Sequence, residues 1–195
     1  ICDLNRSFPG SRKGSLASQL AHLLMDEVVS KSTIGIDLHT GSMYRSNLPQ
    51  IRALVEDDEI GDLARSFGAP LMINAGLRDG SLRGAAADIE VPVLVYEAGE
   101  ALRFDESSIK LGVRGIINVM RHVGMLPPTK RKASARQSIF AESSFWERAP
   151  EGGIVRTVTA LGSQVEADGI LGIVSDPFGD HQFEIRAKEP GIVIG

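Results

Sequence analysis

Ser32-Thr33-Ile34-Gly35-Ile36-Asp37-Leu38-His39-Thr40-Gly41 delivers an aspartate, a histidine and a threonine at the end of a short apolar run. An imidazole can ligate a metal or carry a proton, and a nearby carboxylate can fix its tautomer. His39 is therefore a candidate metal ligand, with Asp37 as the group that orients it. A hydrogen-bonded structural histidine is the other reading of the same residues. A second acid, Glu97, closes another apolar run, Val91-Pro92-Val93-Leu94-Val95-Tyr96. Near the start, the polar loop Asp3-Leu4-Asn5-Arg6-Ser7-Phe8-Pro9-Gly10 sets an amide beside a guanidinium. Asn5 and Arg6 can together grip a carboxylate, Arg6 bidentately; a solvated surface arginine is the alternative. The stretch 41–50, rich in Gly, Ser, Asn and Pro, reads as a loop, and Tyr44, Arg45 and Asn47 are its candidate binding groups. His22 and Glu27 lie five apart in a helical stretch, share no face, and make no metal pair.

Chemistry at these residues depends on what holds them. Residues 34–38, 70–74 and 91–100 read as strands, the first two of them buried. Between and after them, residues 15–29, 58–67, 82–89 and 107–123 carry helical periodicity. In the first of these helices the apolar positions are Leu16, Leu20, Leu23, Leu24 and Val28; in the last they are Ile109, Val113, Ile116, Ile117 and Met120. Strands alternating with helices predict an α/β fold, a mostly parallel or mixed sheet with helical cover, over residues 1–126. Such sheets hold ligands beyond the carboxyl ends of their strands. His39 and Glu97 then share one sheet edge. Residues 127–137, with Pro127, Pro128 and a basic run, predict a linker. From residue 138 to 195 the helical period vanishes, and short apolar runs broken by Gly, Pro and Asp predict a small all-β module.

The 195 residues suffice for one good core or a domain with an appendage. A net charge of -4 with interspersed signs gives no nucleic-acid footprint. No apolar stretch approaches the roughly 20 residues that cross a bilayer, so no membrane partner is expected. The single cysteine, Cys2, excludes an internal disulfide framework and fits a reducing, cytoplasmic location. The chain starts at Ile1 without a Met and stops in a strand-like run at Gly195, so both ends read as cut from a longer protein.

Three motifs, Asp3-Leu4-Asn5-Arg6-Ser7-Phe8-Pro9-Gly10, Asp37-Leu38-His39-Thr40 and Tyr96-Glu97-Ala98-Gly99, occur in an order that resembles the succinylglutamate desuccinylase/aspartoacylase family of zinc-carboxypeptidase-like hydrolases. Asn47-Leu48-Pro49-Gln50 and Leu77-Arg78-Asp79-Gly80-Ser81-Leu82-Arg83 look like the branch that ends in a β module. The resemblance implies one zinc ion, held by a His and a Glu of an upstream H-x-x-E motif and by His39. Those two further ligands are expected upstream of residue 1. The sole H-x-x-E of this chain, His181-Gln182-Phe183-Glu184, lies downstream, in a strand whose i and i+3 side chains diverge. The family's E-x-G glutamate, matched by Glu97, would take a proton from a zinc-activated water and pass it to the leaving amine. Asn5 and Arg6 match the residues that grip the substrate carboxylate. Arg83 matches an arginine that polarises the carbonyl or binds an acidic substrate, with Arg78 competing for that role.

The implied function is hydrolysis of the amide bond of a small N-acyl amino acid or a similar anionic carboxylate. The alternatives are carboxypeptidase action on short peptides and a non-catalytic module with a degenerate metal site. Residues 152–174 resemble a biotinyl/lipoyl-type barrel-sandwich, but the next hairpin tip, Ser175-Asp176-Pro177-Phe178-Gly179-Asp180, carries no lysine. That leaves the module as a cap or an oligomerisation element, and a homo-oligomer is an expected assembly.

Overall fold

Each helix starts on a side chain that satisfies a free backbone N–H. Ser15 caps α1 (Leu16–Glu27), Asp57 caps α2 (Asp58–Phe67), Ser81 caps α3 (Leu82–Ala87) and Asp105 caps α4 (Glu106–His122). The computed structural model describes residues 3–129 and 138–195. Asp105 is the most heavily used cap: Oδ1 accepts from the Ser107 backbone N–H at 2.9 Å and from its hydroxyl, and Oδ2 accepts from the Ser108 hydroxyl at 2.9 Å. The Ser107 and Ser108 hydroxyls, aided by their backbone N–H groups, hold the Asp105 carboxyl below the usual carboxylate range. Asp105→Ala is expected to destabilise the fold by about 1 kcal/mol, the usual cost of a lost cap, in urea unfolding at pH 7. A depressed folded pKa stabilises above the unfolded value, and that contribution is lost as pH falls through the folded one. The gap between wild type and variant should therefore narrow in acid.

The main sheet has five strands in the order β1-β4-β2-β3-β5. These are β1 (Gly35–Gly41), β2 (Asn47–Ala53), β3 (Leu71–Asn74), β4 (Val93–Glu100) and β5 (Ile139–Ala141). β1 runs parallel to β4, and β2 and β5 run parallel to β3, whereas β2 and β4 are antiparallel. The expected α/β fold with a mixed sheet is what forms. Two strands differ from the sequence reading. The stretch read as a loop, 41–50, runs into β2 over its last four residues: Pro49 cannot donate to a ladder, and it sits where the β2–β4 register shifts between Asn47 and Gln50. Residues 139–141, counted with the β module, instead pair in parallel with β3, anchored by Ile139 N donating to Pro70 O at 2.9 Å.

Each sheet face has its own core. Ile51, Met72, Leu94 and Tyr96 pack with Leu63, Ala64 and Phe67 of α2 and Val119 of α4. On the opposite face Val93 packs with Phe8, with Ala21 and Met25 of α1, and with Ala85 and Ala86 of α3. In α1 the buried residues are Ala17, Ala21 and Met25, while Leu16, Leu20, Leu23 and Val28 are exposed. In α4 they are Ser108, Gly112, Gly115 and Val119, while Ile109 and Val113 are exposed. In both helices the fully buried positions are mostly small residues, while of the expected apolar stripes only Leu24 of α1 and Ile116 of α4 pack against the cores, both partly buried.

After β5 the chain forms an antiparallel sheet of β6 (Ile154–Thr157), β8 (Ile170–Ser175) and β9 (Gln182–Arg186). A second pair joins β7 (Gln164–Val165) to β10 (Gly191–Ile192). The β8–β9 turn is tied by Asp176, whose carboxylate accepts from the backbone N–H groups of Phe178, Gly179, Asp180 and His181. Lys188 is paired with Glu147 at 3.1 Å, outside that tip. Of the expected linker 127–137, residues 130–137 lie outside the described residues. No helix of the described residues is long and apolar enough to cross a membrane.

Candidate active site

Strand register decides which side chains meet. His39 of β1 lies opposite Glu97 of β4, and Glu97 lies opposite Gln50 of β2. Residues directly opposite share a face, so His39, Glu97 and Gln50 form one row across three strands. Two residues along each strand, Asp37, Val95 and Arg52 form the next row. The β1–β4 register shifts after His39, and Gly99 of the E-x-G motif adopts a left-handed φ of 68°. Irregularities of this kind re-aim side chains beside functional sites.

His39 Nε2 is 2.8 Å from Asp37 Oδ2, and both side chains are partly exposed. The hydrogen bond that the ring donates to Asp37, opposed by burial and reinforced by the charges of Asp37, Glu97 and Asp3, lifts the His39 pKa above the usual histidine value. Asp37 therefore orients the ring, as the two-residue spacing on a strand allows. Nδ1 is the ring nitrogen left for a ligand. One imidazole is short of a catalytic zinc centre, which normally takes three protein ligands. Among the described residues no group of three or more His, Cys, Asp or Glu side chains could hold a metal ion.

Glu97 is held from β2. Asn47 Nδ2 donates to Glu97 Oε2 at 2.9 Å, and Asn47 is only 6% exposed. Arg52 Nε lies 3.5 Å from Glu97 Oε1 as an ion pair. That approach misses hydrogen-bond geometry, so Nε, like the buried Gln50 Oε1, has no hydrogen-bond partner among the described residues. Arg52 Nη1 reaches the Ser144 hydroxyl at 3.4 Å, and Arg45 lies over the Trp146 ring at 4.9 Å. The neighbouring acid is otherwise engaged. Glu100 accepts from the Tyr44 backbone N–H at 2.8 Å and pairs with Arg103 at 3.2 Å.

Asp3 of the N-terminal loop is the last and smallest of the charges that raise the His39 pKa. Asn5 Oδ1 accepts from the Leu82 backbone N–H at 2.8 Å, while exposed Arg6 donates to the Asn5 carbonyl. Phe8 N donates to Gly80 O at 3.0 Å, so this loop is pinned to the turn before α3. Arg83 is not brought to Glu97. Its guanidinium donates to Ala75 O at 2.8 Å and Gly76 O at 2.5 Å, and it lines a cavity of about 290 Å³ with Asp57, Leu77 and Glu90. Burial first, and then the Arg52 charge, lower its pKa. Gln50 and Arg52 were not legible as site residues from the sequence. Their signal is the i, i+2 polar spacing that follows Pro49, visible only once β2 is known to be a strand.

The fold is a mixed-sheet α/β domain with a histidine and a glutamate opposed at adjacent strand ends, followed by β hairpins. Residues 2–123 match the succinylglutamate desuccinylase/aspartoacylase catalytic domain. The chain belongs to that family. It is 26% identical over 202 residues to the N-alpha-acetyl-L-2,4-diaminobutyric acid deacetylase of Halomonas elongata, covering 98% of this chain and 59% of that protein. A succinylglutamate desuccinylase/aspartoacylase structure from Rhodobacter sphaeroides superposes with a TM-score of 0.85 at 23% identity, over 98% of this chain and 61% of the other. The product-bound structure of an ectoine utilization protein from Ruegeria pomeroyi gives 0.85 at 22% identity, with 98% and 61% coverage. The chain thus spans about three-fifths of the length of these relatives.

Proposed function

We propose that the whole protein is a zinc-dependent hydrolase that removes the acyl group from a small N-acyl amino acid. The observation that carries this reading is the in-register His39–Glu97 pair at the carboxyl ends of β1 and β4, in a chain of a deacylase family. Glu97 acts as general base and then general acid, taking a proton from water and giving it to the leaving amine. Asn47 and Arg52 hold its two carboxylate oxygens during that exchange. His39 is one zinc ligand through the nitrogen that Asp37 leaves free, and the other two belong to the length that the relatives have and this chain does not span. Bound zinc supplies polarisation of the acyl oxygen and acidification of water.

Asn5 and Arg6 take the substrate carboxylate. Arg83 is the substrate-binding arginine in this reading, provided its guanidinium exchanges the Ala75 and Gly76 carbonyls for the substrate. Arg6 and Arg83, the two cationic side chains assigned to the substrate in this reading, favour an anionic one, because a guanidinium binds a carboxylate through charge-assisted hydrogen bonds. The test is zinc analysis of the full-length protein with amine release from N-alpha-acetyl-L-2,4-diaminobutyrate, N-acetyl-L-aspartate and N-succinyl-L-glutamate. A short peptide with a free carboxyl end serves as the comparison. Stoichiometric zinc and hydrolysis of at least one N-acyl amino acid are expected. A zinc-free protein, or one that cleaves only the peptide, would overturn the proposal. The present chain alone is expected to hold little zinc and to show no activity.

A further inference from the structure

Asn47 grips Glu97 from the end of the β2–β4 ladder, where it pairs with Gly99 and the register shifts immediately after it, so a single isolated ladder position holds it. Further support comes from the β module. Leu48 N donates to Ile194 O at 2.9 Å. On the module side, Gly162 N donates to Val193 O at 2.8 Å and Val193 N to Ser163 O at 3.0 Å. Residues 193–194 therefore bridge the module to the irregular start of β2. The next residue touches Asn47 itself. A Cβ built on Gly195 would fall 2.8 Å from Asn47 Oδ1, with nothing else nearer than 3.8 Å. Gly195 does not occupy the left-handed region, so its lack of a side chain serves this close approach and not the backbone. Two further contacts, Ser144 to Arg52 and Trp146 to Arg45, join the same strand and the loop before it to the chain after β5.

We infer that the β module is a splint for the general base: residues 193–195 fix the Asn47 carboxamide, and Asn47 fixes the Glu97 carboxylate. Asn47 is thus a positioning residue, acting through Glu97, and the inference rests on the reading of Glu97 as the base. A methyl group at position 195 cannot coexist with the present geometry: either the backbone at 195 or the buried Asn47 carboxamide, whose other end holds Oε2, has to shift, and the side-chain end is the softer of the two. Displacement of a proton-transfer group by a fraction of an ångström is costly in turnover, because the reacting geometry is narrow.

The experiment is a double-mutant cycle in the full-length protein, using whichever of the three N-acyl amino acids is turned over fastest. Gly195→Ala is expected to lower kcat roughly tenfold with KM nearly unchanged, and Asn47→Ala to lower it at least as much. The double variant should be no slower than Asn47→Ala alone, since groups acting through one contact are not additive. Gly152→Ala, at a module glycine with nothing within 4 Å of a built Cβ, should match wild type. Thermal unfolding accompanies every variant, and Asn47→Ser, too short to reach Glu97, gives the same cycle should Asn47→Ala fold poorly. Multiplicative losses in the double variant, or Gly195→Ala behaving like Gly152→Ala, would overturn the splint. Glu97→Gln is run alongside: if it stays inactive while the cycle is multiplicative, only the splint falls. If it keeps its turnover, the base assignment falls and the splint with it.

Discussion

Glu97→Gln in the full-length protein should lower kcat by about 10²–10⁴-fold, the contribution expected of a positioned general base, with metal content and fold retained. The substitution keeps shape and an acceptor for the Asn47 amide, which now donates to Oε2 at 2.9 Å. What disappears is the proton-accepting carboxylate and the ion pair with Arg52. That pair spans 3.5 Å between side chains that are 27% and 21% exposed, and partly solvated pairs contribute on the order of 1 kcal/mol or less. Stability should therefore move little while turnover collapses. Glu100→Gln provides the internal comparison. Its carboxylate is committed to the Tyr44 N–H and Arg103, so its replacement should cost turnover far less. Single-turnover rates separate the two variants cleanly. Near-normal hydrolysis by Glu97→Gln would remove this residue from the mechanism.

The strand that ends in Glu97 was legible because six consecutive apolar residues, Val91 to Tyr96, describe a buried strand. The strand that carries His39 was also read as buried, but it forms the sheet edge with Leu38 59% exposed, in keeping with the Asp37 that interrupts its apolar run. Helix starts were legible from periodicity to within one residue, at 15, 58, 82 and 107 against the observed Leu16, Asp58, Leu82 and Glu106. What sequence spacing could not reveal is long-range pairing. Asn47 was a candidate as a loop polar group, but its partner lies 50 residues away. Arg52 and Gln50 were hidden because Pro49 made their strand read as a loop, and a proline at a register break is compatible with pairing on either side. Arg83 follows the motif in sequence, while the fold spends its guanidinium on the Ala75 and Gly76 carbonyls. The helix faces misled for a different reason. Periodicity weighted by side-chain size selects Leu and Ile, whereas closeness of approach selects Ala, Ser and Gly.

That inversion has a measurable consequence in α4. Phe67 is 1% exposed, its ring centroid lies 5.0 Å from that of Tyr96, and Gly115 of α4 opens the space it fills. A Cβ on Gly115 would fall 2.2 Å from Phe67 Cε1, so the helix sits as close as a bare backbone permits. Phe67→Ala should destabilise the fold by about 3–5 kcal/mol, combining lost burial with a cavity that α4 cannot fill. Gly115→Ala should cost about 1–3 kcal/mol from the opposite cause, overpacking. The two errors have opposite signs in volume, so Phe67→Leu combined with Gly115→Ala should cost less than the sum of the separate changes. Val113→Ala, on the side that periodicity would have buried, removes a side chain that is 52% exposed and should stay within about 0.5 kcal/mol. Urea unfolding at one pH ranks all of them. If Val113→Ala proved as damaging as Phe67→Ala, α4 would be packed by its large residues after all, and the small-residue stripe would not be its inner face.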